Sequence, residues 1–166
     1  MFERKPISHD SVSGALAKAE RYRLLNEPGE AESICRDILA IEPDHQQALI
    51  SLILALTDEI PHDPHAFTNA VAMVDFLHSP YDRAYYAGIA WERRAKARHH
   101  GGGPGSHHYV YEWLVKALDH FEEAEPLRAA GNDDAVLRWN ACVRFLMHHK
   151  ELAPSEEDIA EPIVSE

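Results

Sequence analysis

Between Glu30 and Leu56 the apolar positions recur once per helical turn. Ala31, Ile34, Cys35, Ile38 and Ile41 form one stripe, Pro43-Asp44 interrupts it, and Leu49, Leu52, Ile53 and Leu56 resume it. The pattern predicts two amphipathic helices joined by a short turn. Each keeps an apolar face that its partner alone cannot cover, so further hairpins should stack on this one. Along the whole chain the same reading predicts seven helices, at about 11–26, 28–41, 45–58, 64–78, 80–99, 108–126 and 133–149. Nowhere do apolar and polar residues alternate between turn signals, so no strand is expected and the fold class is all-α. The last helix carries Val136, Trp139, Val143 and Leu146 on one stripe and Arg138, Arg144 and Lys150 elsewhere. That division suits a cap over the open end of a stack.

The helix starts set a period. Ser11, Asp44 and Ser79 each stand where an N-cap belongs, with separations of 33 and 35 residues. Asp44 with Gln47, and Ser79 with Asp82, approximate the reciprocal capping pattern, Asp82 being a short substitute for Glu or Gln. The partner helices open at Asn26-Glu27-Pro28 and Asp63-Pro64, where a proline in the first turn forfeits no backbone bond.

On these residues the chain resembles the tetratricopeptide repeat family. Ala117, Phe121 and Ala124 follow that family's small, bulky, small second-helix pattern; Ala31, Cys35 and Ile38 follow it more loosely, with Pro43 at the closing proline. Gly88 with Trp91 resembles the first-helix glycine and aromatic, and Tyr22 matches the aromatic in the first unit. Ala19 and Ile53 depart from the glycine, and Glu59 to His65 lengthens the turn of the second unit. The resemblance covers about residues 11–148 and implies a superhelix of three hairpins, at 11–43, 44–78 and 79–126, with a cap at 132–149, an arm at 1–10 and an acidic tail at 150–166.

The resemblance also implies a function. First helices of such units line a concave wall that holds a peptide or protein, and on this chain the wall positions are Leu16, Glu20 and Arg23, then Gln47, Ile50 and Leu54, then Tyr85, Tyr86, Ile89 and Arg93, with Arg138 and Trp139 from the cap. Ile50 and Leu54 lie beyond the stripe that packs their helix, so they imply either burial all round or an apolar groove. Tyrosines of this kind make binding anchors. Leu16 and Glu20 stand where chaperone-binding relatives carry lysine and asparagine, which disfavours that clamp. A groove of isoleucine, leucine and tyrosine edged by arginine suits an apolar helix or an extended peptide. It could also be satisfied by a second copy of the chain, so a homo-oligomer stays open.

Composition narrows the alternatives. The 166 residues suit one domain whose core needs no covalent staple. Cys35 and Cys142 each fall on an apolar stripe and read as core thiols, not as a disulfide. Met1-Phe2-Glu3-Arg4-Lys5 leads into no hydrophobic signal core and no apolar run spans a bilayer, so the expectation is a cytoplasmic chain with no membrane partner. A formal net charge of -12 argues against nucleic acid, whose affinity comes from clustered lysine and arginine. Six of the 28 acids fall between Glu151 and Glu166, a tail expected to be disordered, with Ile159, Ile163 and Val164 as its only grip on a groove.

Arg83, Arg93, Arg94, Lys96 and Arg98 concentrate on the fifth helix, either to offset the negative end of its dipole or to meet an acidic partner or the tail. Gly101 to Gly105 precedes a helix but lacks the lysine and strand of a nucleotide loop. His99, His100, His107 and His108 flank it and offer an alternative, closure on a divalent transition metal, although their spacing matches no zinc framework. No nucleophile sits on a strained turn, and carboxylate pairs such as Glu122-Glu123 sit where helices carry solvated charge, so neither an enzyme nor a cofactor is expected, an active site assembled between distant helices in the groove being the further alternative.

Overall fold

The computed structural model describes residues 2–154, and expectations for the tail beyond Pro154 lie outside the described residues. Seven α-helices follow one another, with no strand among the described residues: α1 (Val12–Leu24), α2 (Pro28–Ile41), α3 (Gln46–Glu59), α4 (Ala66–Val74), α5 (Pro80–Gly101), α6 (Ser106–Ala124) and α7 (Asp134–His148). Every helix from α1 to α7 packs on the next, and α1 also packs on α3 and α3 on α5. The odd-numbered helices α1, α3 and α5 are therefore neighbours in one layer. None of the described helices is long and apolar enough to cross a membrane.

The stripes do the packing. Ala31, Cys35, Leu52 and Leu56 close the first hairpins around Ala19 and Ala70, and Ile89, Val110, Leu114, Phe121 and Cys142 close the last ones. Burying one such leucine or isoleucine contributes about 1.5–3 kcal/mol. Both thiols are fully buried and free, and burial pushes Cys35 up to about 11 and Cys142 up to about 12, which leaves them unreactive at neutral pH. Gly88 lets α5 and α6 approach closely: a Cβ there would stand 2.5 Å from the Phe121 ring.

Several boundaries differ from the pattern. Ser79 caps α5 by accepting from the Asp82 amide at 3.2 Å, but Asp44 does not cap α3; His45 does, its Nδ1 accepting from Ala48 N at 3.2 Å. Ser11 spends its hydroxyl on the Ser8 carbonyl. α4 starts two residues after Pro64, because Asp63 accepts from the His65 amide and holds a turn there, and it stops at Val74. α5 runs on to Gly101 and ends where Gly102 takes a left-handed backbone (φ 62), so the glycine loop is shorter than the histidine spacing suggests. α7 buries only Ala135 and Cys142, leaving Leu137 and Met147 exposed, so it packs on α6 with small side chains and shows water an apolar as well as a charged face. Lys150–Leu152 forms one 3-10 turn that buries Leu152 beside Cys142, so the tail is anchored at its start.

Candidate functional site

Arg23 on α1, Asp58 on α3 and Arg93 on α5 form one line of ion pairs. Arg23 Nε donates to Asp58 Oδ2 at 2.8 Å, and Arg93 binds the other oxygen while donating to Thr57 Oγ1 at 2.8 Å. The line continues to α7 through Glu92, which is 1% exposed: Lys96 Nζ meets its Oε1 at 2.5 Å and Arg138 Nη1 at 3.5 Å. Glu92 Oε2 has no partner among the described residues. One cluster of ion pairs thus ties α1, α3 and α5 and a second ties α5 to α7; the two adjoin at Glu92 and Arg93 to make a polar seam in which four cations face two carboxylates.

The electrostatics follow from that imbalance. Burial lowers the Arg93 guanidinium, and repulsion from Arg23 and Arg138 adds to the effect while Asp58 opposes it. Arg138 is held above the ordinary value: burial pulls it down, but the Glu92 carboxylate and the Tyr85 side chain outweigh that pull. A buried charge keeps its ionised form only when such partners are in place. At the edge of the seam, Thr57, Arg93, Lys96 and His100 line a cavity of about 480 Å³, with His100 Nδ1 2.7 Å from the Lys96 carbonyl oxygen.

The wall residues expected from the sequence fall into three groups. Arg23, Arg93 and Arg138 converge in the seam. Gln47 is exposed on α3, and Ile50, Leu54, Tyr85 and Tyr86 are half-buried: Leu54 and Tyr85 lean on the core around Phe121, Ile50 and Tyr86 on that around Leu77. Tyr85 stacks on Tyr81 at 5.6 Å and meets Tyr86 edge-on at 5.1 Å. Burial pushes the Tyr86 hydroxyl up to about 12, with Asp82 adding to it. Ile89 is corrected. It is 1% exposed, packed with Leu114 and Phe121, because its position on α5 turns into the α6 interface; it cannot touch a partner.

The histidine pairs are held apart by the helices. His99 and His100 lie on α5 and His107 and His108 on α6, and among the described residues no three ligand side chains converge as a metal site would require. His99 instead packs on His149 at 4.5 Å and Phe145 at 5.2 Å, and His108 pairs with Glu112 at 3.3 Å. The basic run on α5 is also dispersed. Only Arg98 of the five stands in the last turn; Arg83 donates to the Leu77 carbonyl, Arg93 and Lys96 join the seam, and Arg94 lies between aromatic rings.

Asp58 and Glu92 carry the seam and went unread in the sequence. A signal existed for each: Asp58 continues the line Gln47, Ile50, Leu54 by one more turn, and Glu92 interrupts the buried series Ile89 and Ala95 with a charge. Neither a protein-family model, nor a curated protein, nor a solved structure matches the chain.

Proposed function

We propose that this chain is a tetratricopeptide-like binding module, cytoplasmic and without catalytic activity, that holds a peptide or protein on the wall made by α1, α3, α5 and α7. The observation that carries the reading is the polar seam, which joins side chains of the four odd-numbered helices edge to edge. Hairpins arranged in this way leave one surface built from alternate helices, and such surfaces bind partners by stacked turns from successive units. Gln47, Ile50, Tyr85 and Trp139 supply mixed apolar and hydrogen-bonding contact beside the seam, with Trp139 39% exposed. Arg23, Arg93 and Arg138 are held in place by their carboxylates, so a partner meets donors already oriented.

A photo-crosslinking side chain tests this. Placed at Gln47 or at Trp139, it should capture the same species in native cells, and placed at the exposed Asp119 or Glu122 of α6 it should not. Equal capture from both sets of positions, or none from either wall position, would remove the assignment.

A further inference from the structure

Away from the wall, α4, α5 and α6 enclose a second notch of about 450 Å³ whose lining includes Phe67, Arg94, Arg98 and Trp113. The Arg94 guanidinium lies among three rings, 4.1 Å from the Phe67 centroid, 4.0 Å from that of Trp113 and 5.4 Å from that of Trp91. A cation–π contact attracts the charge of a guanidinium but accepts no conventional hydrogen bond from its five N–H groups. Among the described residues no carboxylate pairs with Arg94, and only burial acts on it, lowering its pKa. Its donors are therefore fixed in direction and unspent.

Arg98, one turn further along α5, supplies a second observation. Its Nη2 donates to the Pro104 carbonyl at 3.1 Å, which holds a second positive charge in the lining of the notch, while its buried Nε faces protein and not the notch. The carboxylate in the lining, Asp63, accepts from the His65 amide at 2.8 Å to shape the start of α4. Arg94 thus presents open donors, with the Arg98 side chain beside it in the lining, to a cavity of the size that small ligands occupy, about 300–1,000 Å³. Ile60, Pro61 and Pro64 add apolar wall.

We propose that this notch binds an oxyanion, phosphate or carboxylate, carried on a small apolar or aromatic body. The planar fork of Arg94 accepts two oxygens side by side, a match that a lysine cannot reproduce. Stacking holds the fork still, so little side-chain freedom is lost when the anion arrives. The chain as a whole bears a formal charge of -12, so its general field repels anions and any saturable binding must come from the local donors.

Titration of the full chain with phenyl phosphate, benzoate and inorganic phosphate at low salt, followed by calorimetry and tryptophan fluorescence, decides the matter. At least one organic anion should bind one to one and change the emission of Trp113, a change that Trp113→Phe abolishes; inorganic phosphate, with no body for the apolar wall, should bind more weakly. A preference for phenyl phosphate over benzoate assigns the phosphate chemistry, and the reverse assigns the carboxylate. Arg94→Lys should weaken binding at least about tenfold, since it keeps the charge and loses the fork. If Arg94→Lys disturbs the helical circular dichroism, Arg98→Gln at the rim of the notch carries the same expectation. Absence of saturation with all three anions, or undiminished affinity in the folded variant, overturns the proposal.

Discussion

Gly88 is the residue on which the α5·α6 contact turns. The ring of Phe121 occupies the space where a Cβ would be, and Phe121 is itself 1% exposed with Tyr85 tilted against it at 6.0 Å. Alanine would gain about 1 kcal/mol of helix propensity over glycine, but forcing a methyl into a filled interface costs about 1–3 kcal/mol. The ring cannot move aside, because Ile89, Leu114 and Ala117 surround it. Gly88→Ala should therefore lower stability by up to about 2 kcal/mol in urea denaturation, and combination with Phe121→Leu should cost less than the sum of the two changes by a coupling of about 0.5–3 kcal/mol. Additive costs, or a stabilised Gly88→Ala, would show that the approach is looser than the geometry requires. The sequence made Gly88 and Phe121 visible separately, through the glycine-aromatic and small-bulky-small patterns. Their contact was not visible, since residues 33 apart meet only once both helices exist.

Whole elements were legible where local chemistry sets them and illegible where a tertiary partner does. α2 falls at Pro28–Ile41 as expected, because Pro28 fixes its first turn and its apolar stripe runs unbroken. α4 is shorter than its stripe because Asp63 holds the preceding turn, and α5 is longer because Gly102, not the histidine pair, ends it. In the site, the arginines were visible as charges on a wall, but their carboxylates were not, since Asp58 and Glu92 have meaning only beside helices distant in sequence. The C-terminal turn shows the consequence of such a contact. Leu152 is buried behind His149, whose Nδ1 lies 2.9 Å from Glu151 Oε1, and His149 packs on His99. Burial holds His99 below the ordinary histidine value, and His149, His100 and His107 push it further down while Glu151 opposes them. A base with a depressed folded pKa binds fewer protons folded than unfolded, so its contribution is complete above about 6.5 and is lost as pH falls. Glu151, depressed by a backbone hydrogen bond and by His149, adds a loss only at lower pH, below the ordinary carboxylate value. The protection factors of the amides over Lys150–Ala153, taken relative to the intrinsic exchange rate at each pH, should therefore fall about severalfold between pH 7.5 and pH 5.5, and His99→Phe should remove most of that dependence. An equal loss of protection in His99→Phe would place the titrating group elsewhere.

At the scale of the molecule, the core is a chain of local clusters, not one centre. Cys35, Leu52 and Leu56 serve α1 to α4, Ile89, Leu114 and Phe121 serve α5 to α7, and Leu49, Val74, Leu77 and Ala87 join the two through the neighbourhood of α3, α4 and α5. Contacts run from each helix to the next or the next but one, with nothing substantial between α1 and α6 or α7. In such a structure stability is the sum of unit terms and interface terms, and damage spreads only as far as the interfaces transmit it. Leu114→Ala should lose about 2–5 kcal/mol, the cost of emptying a filled core position. That loss has a location. Native-state hydrogen exchange should show α5, α6 and α7 losing protection by most of this amount, while α1 and α2 retain the larger part of theirs, because Leu114 touches no cluster that contains them. Cys35→Ala should give the opposite pattern, with α1 and α2 opening first. A uniform drop in every helix for either substitution would mean that one cooperative unit governs the chain, and the wall of alternate helices would then move as a block instead of unit by unit.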